Sequence, residues 1–190
     1  HCNSKNNLAM IYKKGIDINK NIWFSIELLK ESIRIDNNPI YLYNLSHIYI
    51  YEDINEDNTD KIIEMLTLSS TKFEISKTLL SLILIKKYKV ISFDQIKNEI
   101  GTYIKDNEKE IQQISKDIDE IIKINNFENP TIYECFYQNM KNIDFMINYD
   151  YEFIIAEDFI NQNEEQNQHN NETRENINLE FYEGFGILDD

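Results

Sequence analysis

The sequence predicts an all-α protein: a right-handed α/α superhelix, or solenoid, of about four antiparallel helix pairs, with a disordered acidic C-terminal tail. One observation is that apolar residues recur at helical spacing through most of the chain, interrupted by only four Gly and two Pro. Another is that much of Leu8–Asn37 recurs 37 residues later. Such a period is typical of stacked helix pairs, which bury their apolar faces only against neighbouring pairs. The matched pairs are Leu8 with Leu45, Ile11 with Ile48, Tyr12 with Tyr49, Asn21 with Asn58, Ile26 with Ile63, Leu29 with Leu66 and Ser32 with Ser69.

The first predicted unit covers about residues 5–37. Residues 1–7 are polar and lead into its first helix, and Gly15 lies in the turn that ends this helix. Asn21 is placed to cap the second helix. The apolar stripes of the two helices are Leu8, Ile11 and Tyr12, and then Ile22, Ile26, Leu29 and Ile33.

The second predicted unit covers about residues 38–71 and begins near Pro39. The acidic stretch 52–57 separates its two helices, and Asn58 opens the second of them. Its first helix is expected to pack through one face and to leave the opposite face open. The packing face carries Leu42, Leu45 and Tyr49.

The third and fourth units are predicted at about residues 72–106 and 107–148. Three segments there have the spacing of a capping box, in which a hydroxyl and a carboxylate or amide each take a backbone N–H, and each predicts a helix start. The boxes are Thr71 with Glu74, Ser92 with Gln95, and Thr131 with Glu134. The helix after Pro130 is expected to bury Ile132, Phe136, Met140, Ile143 and Ile147.

Two interpretations are open between Ser92 and Lys123. Isoleucines spaced by three, four and seven residues are compatible with a single long helix that carries a coiled-coil seam. Two helices are favoured, because Gly101 weakens a helix and Asn107 is typical of a new N-terminus.

The C-terminal part divides into three predicted segments. Residues 150–160 form a short capping helix, although so short an apolar run is also compatible with a strand. Residues 161–176 contain no apolar residue and are predicted to be a disordered linker, because they cannot bury enough surface to offset the entropy of ordering. Residues 177–190 are acidic and aromatic, and segments of this kind often dock on another surface.

The charge is unevenly distributed along the chain. Of the net charge of −15, residues 150–190 contribute −11, from 12 acidic residues against the single basic Arg174, which leaves −4 for the rest. Phosphate binding depends on clustered Lys and Arg, so this distribution argues against nucleic acid or an anionic membrane as partner. A protein or peptide partner with a basic surface is the better match.

The cysteines and the search for targeting signals bear on the expected location. Cys2 and Cys135 have no metal or redox spacing, and we expect one terminal and one buried free thiol, which favours a reducing compartment. No run of 18 apolar residues and no signal peptide is visible, so a cytoplasmic protein is expected. The sequence begins with His1 instead of Met, however, and a larger protein with a further segment stays open.

Ten positions of the first unit follow a known repeat pattern of small, aromatic, Gly and hydrophobic residues: Leu8, Ala9, Tyr12, Gly15, Ile18, Asn21, Ser25, Leu28, Leu29 and Ser32. In this spacing the unit resembles one module of the Sel-one-like repeat family, relatives of the tetratricopeptide repeats. The second unit departs from the pattern, with Glu52 in place of Gly and Ile62 at a small position. The resemblance is specific over residues 5–70, and a generic helical bundle is the alternative architecture.

The resemblance implies a function. Sel-one-like proteins act as adaptors, so we expect a non-catalytic protein–protein interaction scaffold whose first helices line a concave face for a partner. Amide side chains can pair with a peptide backbone, and Tyr gives a large contact area at low entropic cost. The alternative is that these side chains are ordinary helix residues. The candidate partner-binding residues are Asn7, Tyr41, Asn44, His47 and Tyr51.

Catalysis finds little support in the sequence. The three histidines, at positions 1, 47 and 169, fall in no ligand or nucleophile–base pattern, and Cys135 has no nearby base. We therefore expect no catalytic residue, no metal and no cofactor. A second hypothesis is that the repeats are a regulatory appendage of a larger enzyme, for example a signalling protein, whose catalytic domain is not in this chain.

Overall fold

Eight α-helices make up the parts of the chain that this computed structural model describes, residues 2–52 and 58–143. No strand occurs within these two ranges, which confirms the all-α class for them. The helices are α1 (Cys2–Lys14), α2 (Ile22–Ile35), α3 (Pro39–Tyr51), α4 (Thr59–Ser70), α5 (Ile75–Tyr88), α6 (Phe93–Tyr103), α7 (Glu108–Ile124) and α8 (Pro130–Asn142).

Several predictions fall outside the described residues. They concern most of the acidic turn at 52–57, the end of the fourth unit, and the segments at 150–160, 161–176 and 177–190. Among the described helices, none combines the length and the hydropathy that a membrane crossing requires.

The first two helix pairs have matching geometry at an offset of 37 residues. α1 and α3 begin at Cys2 and Pro39, and α2 and α4 begin at Ile22 and Thr59. The Ser32 hydroxyl donates to the carbonyl of the first α1 residue at 3.2 Å, and the equivalent serine in α4 donates to the first α3 residue at 2.7 Å. Positions matched in sequence therefore make matching contacts.

The tyrosines matched at this offset also have related surroundings. The Tyr12 ring packs edge-on against Phe24 with the ring centroids 4.6 Å apart. The equivalent ring, Tyr49, lies under the ammonium group of Lys61, which is 5.6 Å from its centroid. Lys61 occupies the position equivalent to Phe24, so each tyrosine is covered from the first turn of the following helix.

The helices pack in chain order only up to α5. α1 packs on α2, α2 on α3, α3 on α4 and α4 on α5. After α5 the order changes, because α7 packs on both α5 and α6, α6 also contacts α4, and α8 turns back to α5. All eight helices belong to one compact unit, His1–Ile147. Its largest fully buried side chains are Tyr41, Tyr43, Phe127, Ile26, Leu29, Ile48, Ile63, Leu66, Leu79, Leu80, Leu82 and Leu84.

Several predicted helix ends are confirmed. The Asn21 side chain accepts a backbone N–H of α2 at 3.0 Å, and Ser92 and Gln95 form the reciprocal capping box at the start of α6. Asn107 caps α7 in the same way, so Ser92–Lys123 contains two helices and not one. Gly15 has φ +73°, a left-handed conformation that Gly adopts readily and other residues resist.

Two predicted capping boxes are wrong. Thr71 closes α4 instead of opening α5, and its hydroxyl donates to a carbonyl one turn earlier at 2.9 Å. A box with Thr131 as the cap would start the helix at Ile132, but α8 begins two residues earlier, at Pro130. The reason is that Asn129, directly before Pro130, accepts two backbone N–H groups and takes the cap itself.

Residues 2–7 of the polar segment are not a lead-in, because α1 begins at Cys2 and they form its first half. Polar residues are compatible with a buried helix here because their amides find partners. Asn6 is fully buried and accepts a hydrogen bond from the Asn44 side chain of α3 at 2.8 Å.

The predicted burial of α8 is only partly observed. Met140 and Ile143 are buried, whereas Ile132 and Phe136 are half-buried. Cys135 is exposed, so the expectation of a buried thiol is wrong; it lies on the side of α8 that faces away from the other helices. Cys2 is half-buried, and both cysteines are free thiols.

Candidate interaction surface

The most distinctive site in the described helices is the place where α8 lies against α3 and α5. The Tyr51 hydroxyl donates to the backbone carbonyl of Tyr137 at 2.9 Å, and the His47 ring bonds the Met140 carbonyl through Nε2 at 3.0 Å. From α8, the Tyr133 hydroxyl donates to a carbonyl of α5, that of Leu82, at 3.3 Å. Side chains on both sides therefore reach backbone atoms of the opposite helix.

The partner of the second ring nitrogen fixes the tautomer of His47. Nδ1 lies 3.2 Å from the Nζ of Lys13, and an ammonium group can only donate. Nδ1 is therefore the acceptor, and the proton on Nε2 is donated to the Met140 carbonyl. His47 thus joins α1 and α8 through α3.

Aromatic rings and one cation surround Tyr137. Its ring centroid lies 5.1 Å from that of Tyr51 and 5.8 Å from that of Tyr133. The ammonium group of Lys86 lies 5.3 Å from the same centroid, within the range of a cation–π interaction. We name His47, Tyr51, Leu82 and Lys86 the α3–α5 face.

Two of the tyrosine hydroxyls here are held in their protonated form. Burial raises the pKa of Tyr51 above the usual value near 10, and the neighbouring Tyr137 raises it further. Burial and Tyr137 raise the pKa of Tyr133 in the same way. Both hydroxyls therefore remain hydrogen-bond donors to backbone carbonyls throughout the neutral and mildly alkaline range.

The five candidate residues from the sequence do not form one patch. Asn44 pairs with Asn6, while the Tyr41 hydroxyl donates to the Asn3 side chain, so these two candidates join α3 to α1. Asn7, half-buried on α1, accepts a hydrogen bond from Asn6 at 3.3 Å. Only the candidates His47 and Tyr51 come together, and they do so against α8.

The expectation of an open face on α3 is wrong. Every residue from Tyr41 to Ile48 is buried, including His47 at 3 % exposed. α1 covers one side of the helix and α8 another. Whether these residues bind a partner stays a prediction, but in this structure their polar groups bond to the chain's own α1 and α8.

The polar contacts of α8 were not predicted from the sequence. Tyr133, Tyr137 and Met140 are spaced i, i+4 and i+7, so they share one side of a helix. That spacing was a usable signal. Its significance depends on contacts 86 and 93 residues apart in the chain, which no local pattern reports.

Other cations in the described helices bind carboxylates of their own chain. Lys87, at the end of α5, pairs with Asp60 and Glu99 at 3.0 Å each. Lys77 is buried and pairs with Glu74 at 2.7 Å and with Asp117 of α7 at 2.6 Å. No cluster of three or more potential metal ligands occurs in the described parts of the chain.

No family model, curated protein or solved structure matches this chain. The likeness to Sel-one-like repeats accordingly depends on the residues of the first two units alone.

Proposed function

We propose that this chain is a non-catalytic protein–protein interaction module whose first two helix pairs stack as units of a right-handed helical-repeat solenoid. One observation carries the proposal: the same interhelical serine bond occurs in both pairs, and donor and acceptor are each shifted by 37 residues. Stacked hairpins of this kind present long surfaces made by successive helices, and such surfaces are suited to binding. A cytoplasmic location is part of the same proposal.

The α3–α5 face is the surface that we assign to binding. Tyr51 provides a large contact area with a protonated hydroxyl, and Lys86 provides a cation at its edge. Of the five candidates from the sequence, Tyr51 is the half-buried one on this face, and Tyr41 and Asn44 support it from the α1 side. Residues 150–190 carry −11 of the net charge of −15, so a basic surface on the partner is expected to meet that segment and not the cation of the α3–α5 face.

The test is affinity capture with the full chain from the cells that produce it, comparing the wild type with Tyr51→Ala combined with Lys86→Glu. We expect the double variant to capture at least tenfold less partner than the wild type does, because the two substitutions remove the aromatic contact and reverse the charge of the face. Far-UV circular dichroism checks that the double variant remains helical.

A matched control changes an exposed residue of another helix. Glu64 is exposed on α4, and Glu64→Gln is expected to leave capture unchanged. If wild type, double variant and control capture the same proteins in the same amounts, the α3–α5 face is not the binding surface and the proposal fails.

A further inference from the structure

We propose that the α3–α5 face recognises a single amphipathic α-helix of a partner protein, and that α8 occupies this place in the free chain. The inference rests on the proposed function and names the class of ligand. The argument comes from how α8 is held, since α8 is a helix already seated on the face.

The first part of the argument concerns the atoms that are recognised. His47 and Tyr51 bond to the backbone carbonyls of Met140 and Tyr137, which lie in the last six residues of α8. The Met140 carbonyl lies in the last turn of α8, where carbonyls lack the regular partner four residues on, and besides His47 it accepts the Ile143 N–H at 3.2 Å. The Tyr137 carbonyl lies about one turn earlier, so the two donors suit a helix whose C-terminal end points towards His47.

The second part concerns the side chains that are selected. Tyr137 lies between the Tyr51 ring and the Lys86 ammonium group, and Met140 is fully buried. Tyr133, one turn before Tyr137, adds a hydroxyl that reaches the carbonyl of Leu82. The expected ligand is a helix with tyrosines at i and i+4 and methionine at i+7, near its C-terminus.

The third part concerns how firmly α8 is held. In α8 only Met140 is fully buried among the residues whose side chains are described, while the rings of Tyr133 and Tyr137 are half-buried. In α5, by contrast, all ten residues from Ser76 to Ile85 are buried except Thr78, which is half-buried. A partner helix therefore has few contacts to replace, and α8 competes mainly because a short connection from α7 keeps it close.

The experiment uses a fluorescent peptide of residues 129–143, titrated into the full chain and followed by anisotropy. In the chain itself, Tyr137→Ala with Met140→Ala weakens α8 as the internal competitor. We expect this variant to bind the peptide at least tenfold more tightly than the wild-type chain does. A peptide with the same two substitutions is the matched control. It is expected to bind the variant chain at least tenfold more weakly than the unsubstituted peptide does.

A second measurement does not require any variant to fold. Hydrogen exchange of the wild-type chain is followed with and without saturating peptide, and α8 amides are expected to exchange at least tenfold faster with peptide while those of α5 stay unchanged. The inference is overturned if the peptide binds but the exchange rate of the α8 amides stays the same. It is also overturned if the peptide binds neither the wild-type chain nor the Tyr137→Ala, Met140→Ala chain while that variant remains helical.

The two proposals fail differently. Loss of partner capture on Tyr51→Ala with Lys86→Glu, together with no peptide binding, would leave the interaction function in place and overturn only the helix as ligand. Peptide binding that displaces α8 supports the helix as ligand. Unchanged partner capture by the same double variant would overturn the proposed function, whatever the peptide does.

Discussion

At the scale of single residues, serines do the work that small apolar residues do in most closely packed helix pairs. Ser25, Ser32 and Ser69 are fully buried, at positions where a larger side chain would keep two helices apart. Ser25 and Ser69 each donate to a backbone carbonyl of the helix opposite, at 2.6 and 2.7 Å. The Ser32 hydroxyl is shared between the Cys2 carbonyl of α1 at 3.2 Å and the Leu28 carbonyl of its own helix at 3.0 Å. Close approach and hydrogen bonding are therefore combined in one residue type.

The first prediction follows from these bonds. Ser69→Ala removes a hydroxyl that bonds both the Pro39 carbonyl and the Ser76 hydroxyl, and we expect it to lower the free energy of unfolding by about 1 kcal/mol. Ser32→Ala should cost a similar amount, because it stands at the equivalent position. Chemical denaturation measures both. Exposed Ser4→Ala is the control, and a cost as large there would contradict the argument.

Removing a buried hydroxyl that has no hydrogen bond is expected to raise stability instead of lowering it. Thr67 is fully buried, and its Oγ1 has no hydrogen-bond partner in the described part of the chain. Thr67→Val keeps the shape and removes the desolvated polar atom, so we expect stability to rise by up to about 1 kcal/mol. Thr71→Val, which removes the bond to the Leu68 carbonyl, should lower stability instead. A denaturation midpoint that falls for Thr67→Val would refute this prediction.

At the scale of helices, caps and ion pairs decide where elements end and how they join. α6 begins with the complete box of Ser92 and Gln95, whereas α8 begins with Asn129 and leaves Thr131 in its first turn. The pattern of a hydroxyl followed by an acid or amide occurred at three places, but only one forms the box. An Asn next to Pro competes successfully because its amide oxygen reaches two backbone N–H groups.

This difference between caps can be measured. Ser92→Ala is expected to lower the free energy of unfolding by about 1 kcal/mol, since an orphan N–H loses its acceptor. Thr131→Ala changes an exposed residue that is not the cap, and its effect is expected to stay within about 0.5 kcal/mol. Equal losses for the two variants would mean that Thr131 caps α8 after all.

Lys77 joins α5 to α7 and makes that joint sensitive to alkaline pH. Desolvation by burial acts to lower its pKa, but the hydrogen bonds that its ammonium group donates to Asp117 and Glu74 outweigh this effect, and the pKa is raised. A raised pKa stabilises the fold fully below the unfolded value of about 10.4, and this stabilisation is lost as pH rises through the folded pKa.

The variant Lys77→Met tests this sign. At pH 7 it should cost about 1–2 kcal/mol, because Asp117 is left partly buried without its cation. The difference between wild type and variant should shrink as pH rises above about 10.4. The control Lys97→Met removes the more exposed pair with Glu108 and should cost less than about 1 kcal/mol. A gap between wild type and Lys77→Met that widens at high pH would contradict the argument.

At the scale of the whole molecule, polar pairs between successive first helices connect one hairpin to the next. The buried amide pair Asn6–Asn44 joins α1 to α3, and the His47 ring joins α3 to α8. Because these pairs are specific in geometry, they fix how one helix pair sits on another, which apolar contacts alone do less strictly.

The amide pair provides a prediction at this scale. Asn44→Ala leaves Asn6 without that buried partner, and we expect a loss of about 2 kcal/mol in the free energy of unfolding. The double variant Asn6→Ala with Asn44→Ala should lose less stability than the two single variants lose together, because it leaves neither amide buried without its partner. Strict additivity in this double-mutant cycle would show that the two side chains do not interact.

Much of the architecture follows from local patterns. Apolar spacing, Gly15, Asn21 and the Ser92 box depend on residues within one or two turns, and the structure agrees with them. The 37-residue match also anticipated which positions make equivalent contacts in α1–α4. These properties are local, or repeat locally, so the chain encodes them in its order of residues.

The sequence by itself determined that the described chain is helical, where α2, α3, α4, α6 and α7 begin, and which residues of the first two pairs correspond. Only the tertiary structure decided that α8 returns to α3 and α5, where it covers His47, and that α1 covers Tyr41 and Asn44. The physical reason is that helix formation depends on bonds four residues apart, whereas the seat of α8 depends on bonds spanning 86 and 93 residues.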